Sequence, residues 1–89
     1  MKYEWDENKR IANFAKHDVD FTNAEHFDWS SAIETIDDRF NYKEERWVAL
    51  GLIKNRLHVL IYTVRGENIR LINLRKANKR ERKYYEEKT

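Results

Sequence analysis

The residues of this chain best equipped for chemistry are its cations and one histidine. Arg65, Arg70, Arg75 and Arg80 recur at intervals of five. A guanidinium stays charged at any working pH, and its planar fork binds two phosphate oxygens at once. A converging set would hold an RNA phosphate and offset the charge of a pentavalent transition state; the same residues also suit a salt-bridged amphipathic tail. His17 keeps company with Lys9, Asn13 and Lys16. Helical spacing puts these four along one margin, and a helix C-terminus favours a protonated imidazole, so His17 reads as a general acid or base or as part of a solvated polar face. Glu44 and Glu45, just ahead of an apolar run, offer a carboxylate base or a surface ion pair. His26 and His58 stand alone in sequence and read as structural.

Other chemistries lack their residues. There is no glycine-rich phosphate loop, no His spacing for a metal and no nucleophile elbow. With no cysteine there is no disulfide framework, thiolate site or thiol nucleophile. Neither a metal nor a cofactor is expected.

The elements that must position these side chains follow from caps and periodicity. Asp6 is placed to N-cap a helix from Glu7 to His17. At about 100° per residue, Ile11, Phe14 and Ala15 fall on one face and Lys9, Asn13, Lys16 and His17 on another, with Asp18 ending the helix. Thr22 followed by Glu25 has capping-box spacing and predicts a second short helix, Asn23 to Trp29. From Ala32 the pattern changes. AIETI reads as a short strand, DDRFNYKEE as a polar connector, and RWVALGLI and LHVLIYTV as strands rich in β-branched and aromatic residues. The connectors Lys54-Asn55-Arg56 and Arg65 to Asn68 are hairpin-sized, and Gly66 can adopt positive φ.

IRLINLRK supplies the last strand. Simple alternation puts Arg70, Ile72, Leu74 and Lys76 on one face and Ile69, Leu71, Asn73 and Arg75 on the other, with Ile72 and Leu74 expected in the core. Asn78 and Glu81 repeat the cap spacing and start a final helix near Lys79. It carries Ala77, Glu81, Tyr84, Tyr85 and Lys88 on one side and Lys79, Arg82, Lys83 and Glu86 on the other, with Arg80 at the boundary and Tyr84 and Tyr85 as anchors. The expected fold is α+β: two N-terminal helices, a four-stranded mainly antiparallel sheet in meander order, and a C-terminal helix.

Composition agrees with one small domain spanning residues 1–89, whose 40% hydrophobic content is enough for a core while 38% charge leaves every element a polar face. Charge is unevenly distributed. Residues 1–64 carry 9 Lys/Arg against 12 Asp/Glu, and residues 65–89 carry 9 against 4. A cationic end on an acidic body suits an anionic partner such as a phosphate backbone. No leader-like apolar region precedes Lys9, and no run approaches the ~18 apolar residues of a membrane span, so a cytoplasmic, membrane-free protein is expected.

The ordered stretches EWDENKRIANFAKHDVDF, FTNAEHFD, ERWVALGLI, LHVLIYTVRGENIRLI and LRKANKRERKYYE resemble the BrnT family of type II toxin–antitoxin systems. The resemblance implies a RelE-like ribonuclease that cleaves RNA without a metal and inhibits translation. It also implies a BrnA-type antitoxin that dimerises through a ribbon-helix-helix domain, forms a heterotetramer with the toxin and alone contacts operator DNA. By position, the family's Lys…Lys-His pattern falls on Lys9, Lys16 and His17, its strand arginines on Arg65, Arg70 and Arg75, and its terminal Arg-Glu pair on Arg80 and Glu81. Asp18 stands where the family often has Gly, and Asn73 where a small hydroxyl residue is more usual. The implied mechanism is in-line attack by the ribose 2′-OH. His17 moves the proton, with Glu45 as rival; Arg70, Arg75 and Arg80 neutralise the reacting phosphate, and Lys9, Lys16, Arg65, Lys76 and Lys79 hold RNA. A different class remains open, a non-catalytic module whose basic end binds nucleic acid or an acidic protein. The basic surface also suits docking of an acidic antitoxin segment.

Overall fold

The computed structural model describes residues 2–39 and 42–89. Phe40 and Asn41, within the polar connector expected from DDRFNYKEE, lie outside the described residues. The strands are β1 (Lys2–Glu4), β2 (Ile33–Asp37), β3 (Arg46–Ile53), β4 (Arg56–Arg65) and β5 (Asn68–Lys76), and the α-helices are α1 (Glu7–His17) and α2 (Lys79–Lys88). They form one five-stranded sheet in the order β1-β5-β4-β3-β2. The α+β class stands, but the sheet has one strand more than expected and is mixed, because β1 pairs in parallel with β5. Three residues, Lys-Tyr-Glu, carry no alternation that marks a strand in advance. Their pairing depends on a partner more than sixty residues away.

The second predicted helix is a 3-10 helix, Phe21–His26, followed by another, Trp29–Ser31. Phe21, Ala24 and Phe27 are buried at a spacing of three, which matches the 3-10 repeat. The expected Thr22–Glu25 capping box is absent: Asp20 is the cap and accepts the Thr22 N–H at 3.0 Å. Phe27 lies flat over Gly51, where a Cβ would meet its ring at 2.4 Å, so that ring packs in only because residue 51 has no side chain.

One face of the sheet buries the main core, with Phe21, Leu60, Leu71 and Leu74 fully enclosed beneath α1 and the 3-10 helices. The opposite face carries a smaller cluster of Leu50, Leu57, Val59 and Ala77, partly covered by Tyr85 of α2. Tyr85 is the anchor of that helix and donates to the Ser31 carbonyl at 3.0 Å; Tyr84, expected to anchor as well, is exposed. The Asn78–Glu81 capping box forms as predicted. Lys54 and Asn55 make a two-residue hairpin turn with φ of 49° and 70°, and Gly66 has φ 60° in the next hairpin.

Helix α1 begins at Asp6, whose carboxylate accepts the Asn8 and Lys9 N–H groups, but its orientation inverts amphipathic expectation. Ile11 and Phe14 are 55% and 47% exposed, whereas Asn13 is buried. The sheet edge explains this. β1 ends opposite Arg70, and among the described residues no strand covers the outer edge of β5 beyond that point. The Asn13 amide fills the gap: Nδ2 donates to the Leu74 carbonyl at 2.7 Å and Oδ1 accepts the Leu74 N–H at 3.2 Å, while Nδ2 also reaches the Val19 carbonyl. One side chain thus continues the ladder, satisfying backbone groups that are costly to bury unpaired.

Alternation along β5 is broken by a bulge. Tyr62 pairs with Leu71 but Ile61 with Asn73, leaving Ile72 as the extra residue. The expected faces therefore change after Leu71. Leu71 and Leu74 both enter the core, and Arg70 and Arg75, an odd number of residues apart, share the opposite face.

Candidate functional site

An open cavity of about 260 Å³ lies between α1 and the bulged part of β5, lined by Lys9, Ala12, Asn13, Lys16, His17, Ile72 and Asn73. No carboxylate is among these residues. The inward turn of Asn13 sets the helix so that Lys9 and Lys16, two turns apart, flank the opening on one side. Ile72, expected in the core, is only partly buried because the bulge turns it to the cavity wall.

His17 is partly buried, and its pKa is lowered by burial first, then by the charges of Lys16 and Arg75. The helix-end preference for imidazolium does not prevail here. At neutral pH the ring is therefore held towards its neutral, proton-accepting form. The Asn73 Oδ1 is buried and, among the described residues, has no hydrogen-bond partner.

Arg75 is the arginine close enough to bias His17. Its Nη1 and Nη2 each donate to one oxygen of Glu81 at 2.8 Å. The pair is about three-quarters buried, with side-chain exposures of 29% and 23%. The hydrogen bond to Arg75 and the capping N–H of Asn78 hold the Glu81 carboxyl below its ordinary range, against the opposing effect of burial.

The four arginines do not converge. Arg70 donates to Glu4 at 2.8 Å, and the same carboxylate accepts from Asn68. Arg65 meets Glu44 at 3.4 Å near the hairpin end. By the β4 register Arg70 and Arg75 stand four residues apart, on the order of 13 Å, and each is turned to its own carboxylate rather than to the other. Arg80 is exposed in the first turn of α2, and among the described residues it has no hydrogen-bond or ion-pair partner. Lys76 and Lys79 are exposed as well. Glu45 lines a different cavity, with Asp37, Asp38, Tyr42, Lys43 and Glu44. It lies two strands from Arg75 and five positions back along β3 from the register row of that residue, on the order of 15 Å along the strand alone.

Sequence reasoning passed over Asp37 and Arg39. Arg39 clasps the almost wholly buried Asp37 carboxylate through Nε at 2.8 Å and Nη2 at 3.1 Å. This pair and Arg75–Glu81 border a cleft of about 240 Å³ that includes Val48, Val59 and Ile61. The spacing of Asp37 and Arg39 in a polar stretch gave no hint of it. Among the described residues, no three His, Asp or Glu side chains group as metal ligands.

Residues 5–81 match the family model of the ribonuclease toxin BrnT of type II toxin–antitoxin systems. The chain belongs to the BrnT family. No curated protein matches it. The BrnT match runs from ahead of α1 through Glu81, so it contains the whole cavity and the Arg75–Glu81 pair. It makes the protein a ribonuclease toxin by family, with RNA as the class of substrate and an antitoxin as partner. The glycine that the resemblance implies after the Lys-His pair would suit the backbone at this position. Asp18 closes α1 in the left-handed conformation, φ 59°, which glycine adopts without a Cβ penalty. Asp18 is not among the charges that bias His17. Among the described residues, no helix is long and apolar enough to cross a membrane.

Proposed function

We propose that this BrnT chain is a metal-independent endoribonuclease, RelE-like in its chemistry, and that the cavity between α1 and β5 is its reaction site. The observation that carries this reading is a partly buried, neutral-leaning His17 beside Lys9 and Lys16 in a cavity lined by no carboxylate. The imidazole accepts the proton of a ribose 2′-OH. The 2′-oxygen then attacks the adjacent phosphorus in line, and the 5′-oxygen leaves and takes up a proton. The products end in a 2′,3′-cyclic phosphate and a 5′-OH. Lys9 and Lys16 neutralise the phosphate from one side, and Arg75 adds positive potential beside the ring. Glu45 is not given the proton because it lines a separate cavity. Arg80, Lys76 and Lys79, exposed on the basic end, extend the path for the RNA strand, whereas Arg65 and Arg70 serve its more distant part.

The protein works in the cytoplasm as one domain. A BrnA-type ribbon-helix-helix antitoxin dimer holds it in a heterotetramer, covers the basic surface and brings operator DNA to the complex. Cleavage of RNA by the purified toxin in the presence of a chelator, with end-group analysis, tests the chemistry. His17→Ala is expected to lower the rate by roughly a hundredfold or more. RNA that is bound but never shortened would favour a binding module instead, and an undiminished rate in the variant would move the proton transfer elsewhere.

A further inference from the structure

We infer that Glu81 is a positioning residue, which grips Arg75 by one edge of its guanidinium and thereby leaves the other edge as a preformed fork for an RNA phosphate. The inference rests on the proposed RNA reading for the identity of the anion. Its own basis is the geometry of the pair. Arginine carries more N–H donors than one carboxylate can occupy. Glu81 takes one from Nη1 and one from Nη2, the end-on edge, and the Lys76 carbonyl accepts from Nη1 at 3.3 Å. The Nε–H and the remaining Nη2–H form the side-on edge. Among the described residues neither has a partner, and Nε is not buried.

Glu81 is itself fixed. Its Oε1 also accepts the Asn78 N–H at 2.9 Å as half of the α2 capping box. The carboxylate therefore ties the orientation of Arg75 to the start of a helix rather than to a mobile side chain. A long arginine on an open strand edge otherwise samples many rotamers, and ordering it at the moment of binding costs entropy. With the end-on edge clamped, that cost is met during folding. Arg75 biases His17 by its charge, although its side chain lines the neighbouring cleft with Asp37, Asp38, Arg39 and Glu81 rather than the His17 cavity itself.

Glu81→Gln separates positioning from folding. Glutamine can complete a capping box, so α2 keeps its start, but it offers Arg75 a single acceptor in place of two. The expected result is a melting curve near that of the parent, with kcat for RNA cleavage lowered roughly tenfold to a hundredfold and KM changed less. Arg75→Lys, which keeps charge but has no fork, should show a similar loss. A Glu81→Gln enzyme with the parental kcat would overturn the inference. If the parent cleaves no RNA, the proposed function fails by itself and binding decides the matter. The Arg75 Nε–H signal of 15N-labelled protein is followed during titration with inorganic phosphate and with an RNA blocked by 2′-O-methylation. A parental shift whose midpoint weakens roughly tenfold in Glu81→Gln supports the role; no parental shift, or equal midpoints, removes it.

Discussion

His17 and His58 are both pushed towards the neutral form, and the two cases have separate consequences. For His17 the depression below 6.5 comes from burial and then from Lys16 and Arg75; Lys9 lines the same cavity and Asp18 follows it in the chain. A base must be unprotonated, so the acid limb of the kcat/KM profile should lie below pH 6.5. Replacing Lys16 with Met removes a depressing charge and should move that limb upward; an unmoved limb would mean that another group titrates. His58 is buried in β4 and held by the Arg56 carbonyl at 2.8 Å. Burial, then the charges of Arg56 and Lys76, outweigh that contact and lower its pKa from 6.5. Between the folded and unfolded values the unfolded chain binds more protons. The contribution is therefore complete above 6.5 and lost as pH falls through the folded value. Melting temperature should drop over this window in the parent and drop less in His58→Gln, with circular dichroism as the measurement. The residue types at His17, Lys9 and Lys16 were readable in the sequence because they share one helix margin. Their bias towards the neutral ring was not, since it depends on burial and on Arg75 from another element.

At the scale of elements, α1 shows a local pattern overruled by a distant need. Its limits and its Asp6 cap follow from neighbours in sequence, and so does the capping box that begins α2. Which side of α1 turns inward follows from the open edge of β5, where Asn13 stands in for a missing strand. Asn13→Ala leaves the Leu74 N–H and C=O without these partners, and each buried orphan costs about 1 to 3 kcal/mol. Urea unfolding should show a loss of about 2 to 6 kcal/mol for the two groups together, and Asn13→Asp, which accepts but cannot donate when ionised, should not restore it. A loss no larger than that of an exposed Ala12→Ser control would contradict the edge-filling role. The five-residue recurrence of the arginines shows the same limit. Strand periodicity sends Arg70 and Arg75 to opposite faces, and only the extra Ile72 at the bulge returns them to one.

For the whole molecule, the count of 18 Lys and Arg overstates what an RNA strand meets, because many of the cations are already paired. Arg10, Arg39, Arg65, Arg70 and Arg75 each contact an internal carboxylate. Lys9 and Lys16 line the cavity, and in the proposed reading theirs is the charge that acts on RNA there. Binding to single-stranded RNA releases counterions with a slope of roughly −0.7 per phosphate neutralised in a plot of log K against log salt. Lys9→Ala and Lys16→Ala should each make that slope shallower by about 0.7, and Arg65→Ala, whose guanidinium is shared with Glu44, by less. Equal effects at all three positions would mean that the strand follows the whole basic end.

By itself the sequence determined what is local: the caps, the hairpin turns, four of the strands, the cationic end and the family to which those stretches belong. These depend on side chains within a few positions of one another, where spacing alone fixes geometry. The tertiary structure decided the parallel β1, the inward Asn13, the shared face of Arg70 and Arg75, and the separation of Glu45 from His17. Each of these turns on a contact between segments far apart in the chain, where the unpaired edge of a strand or one extra residue in a ladder outweighs local periodicity.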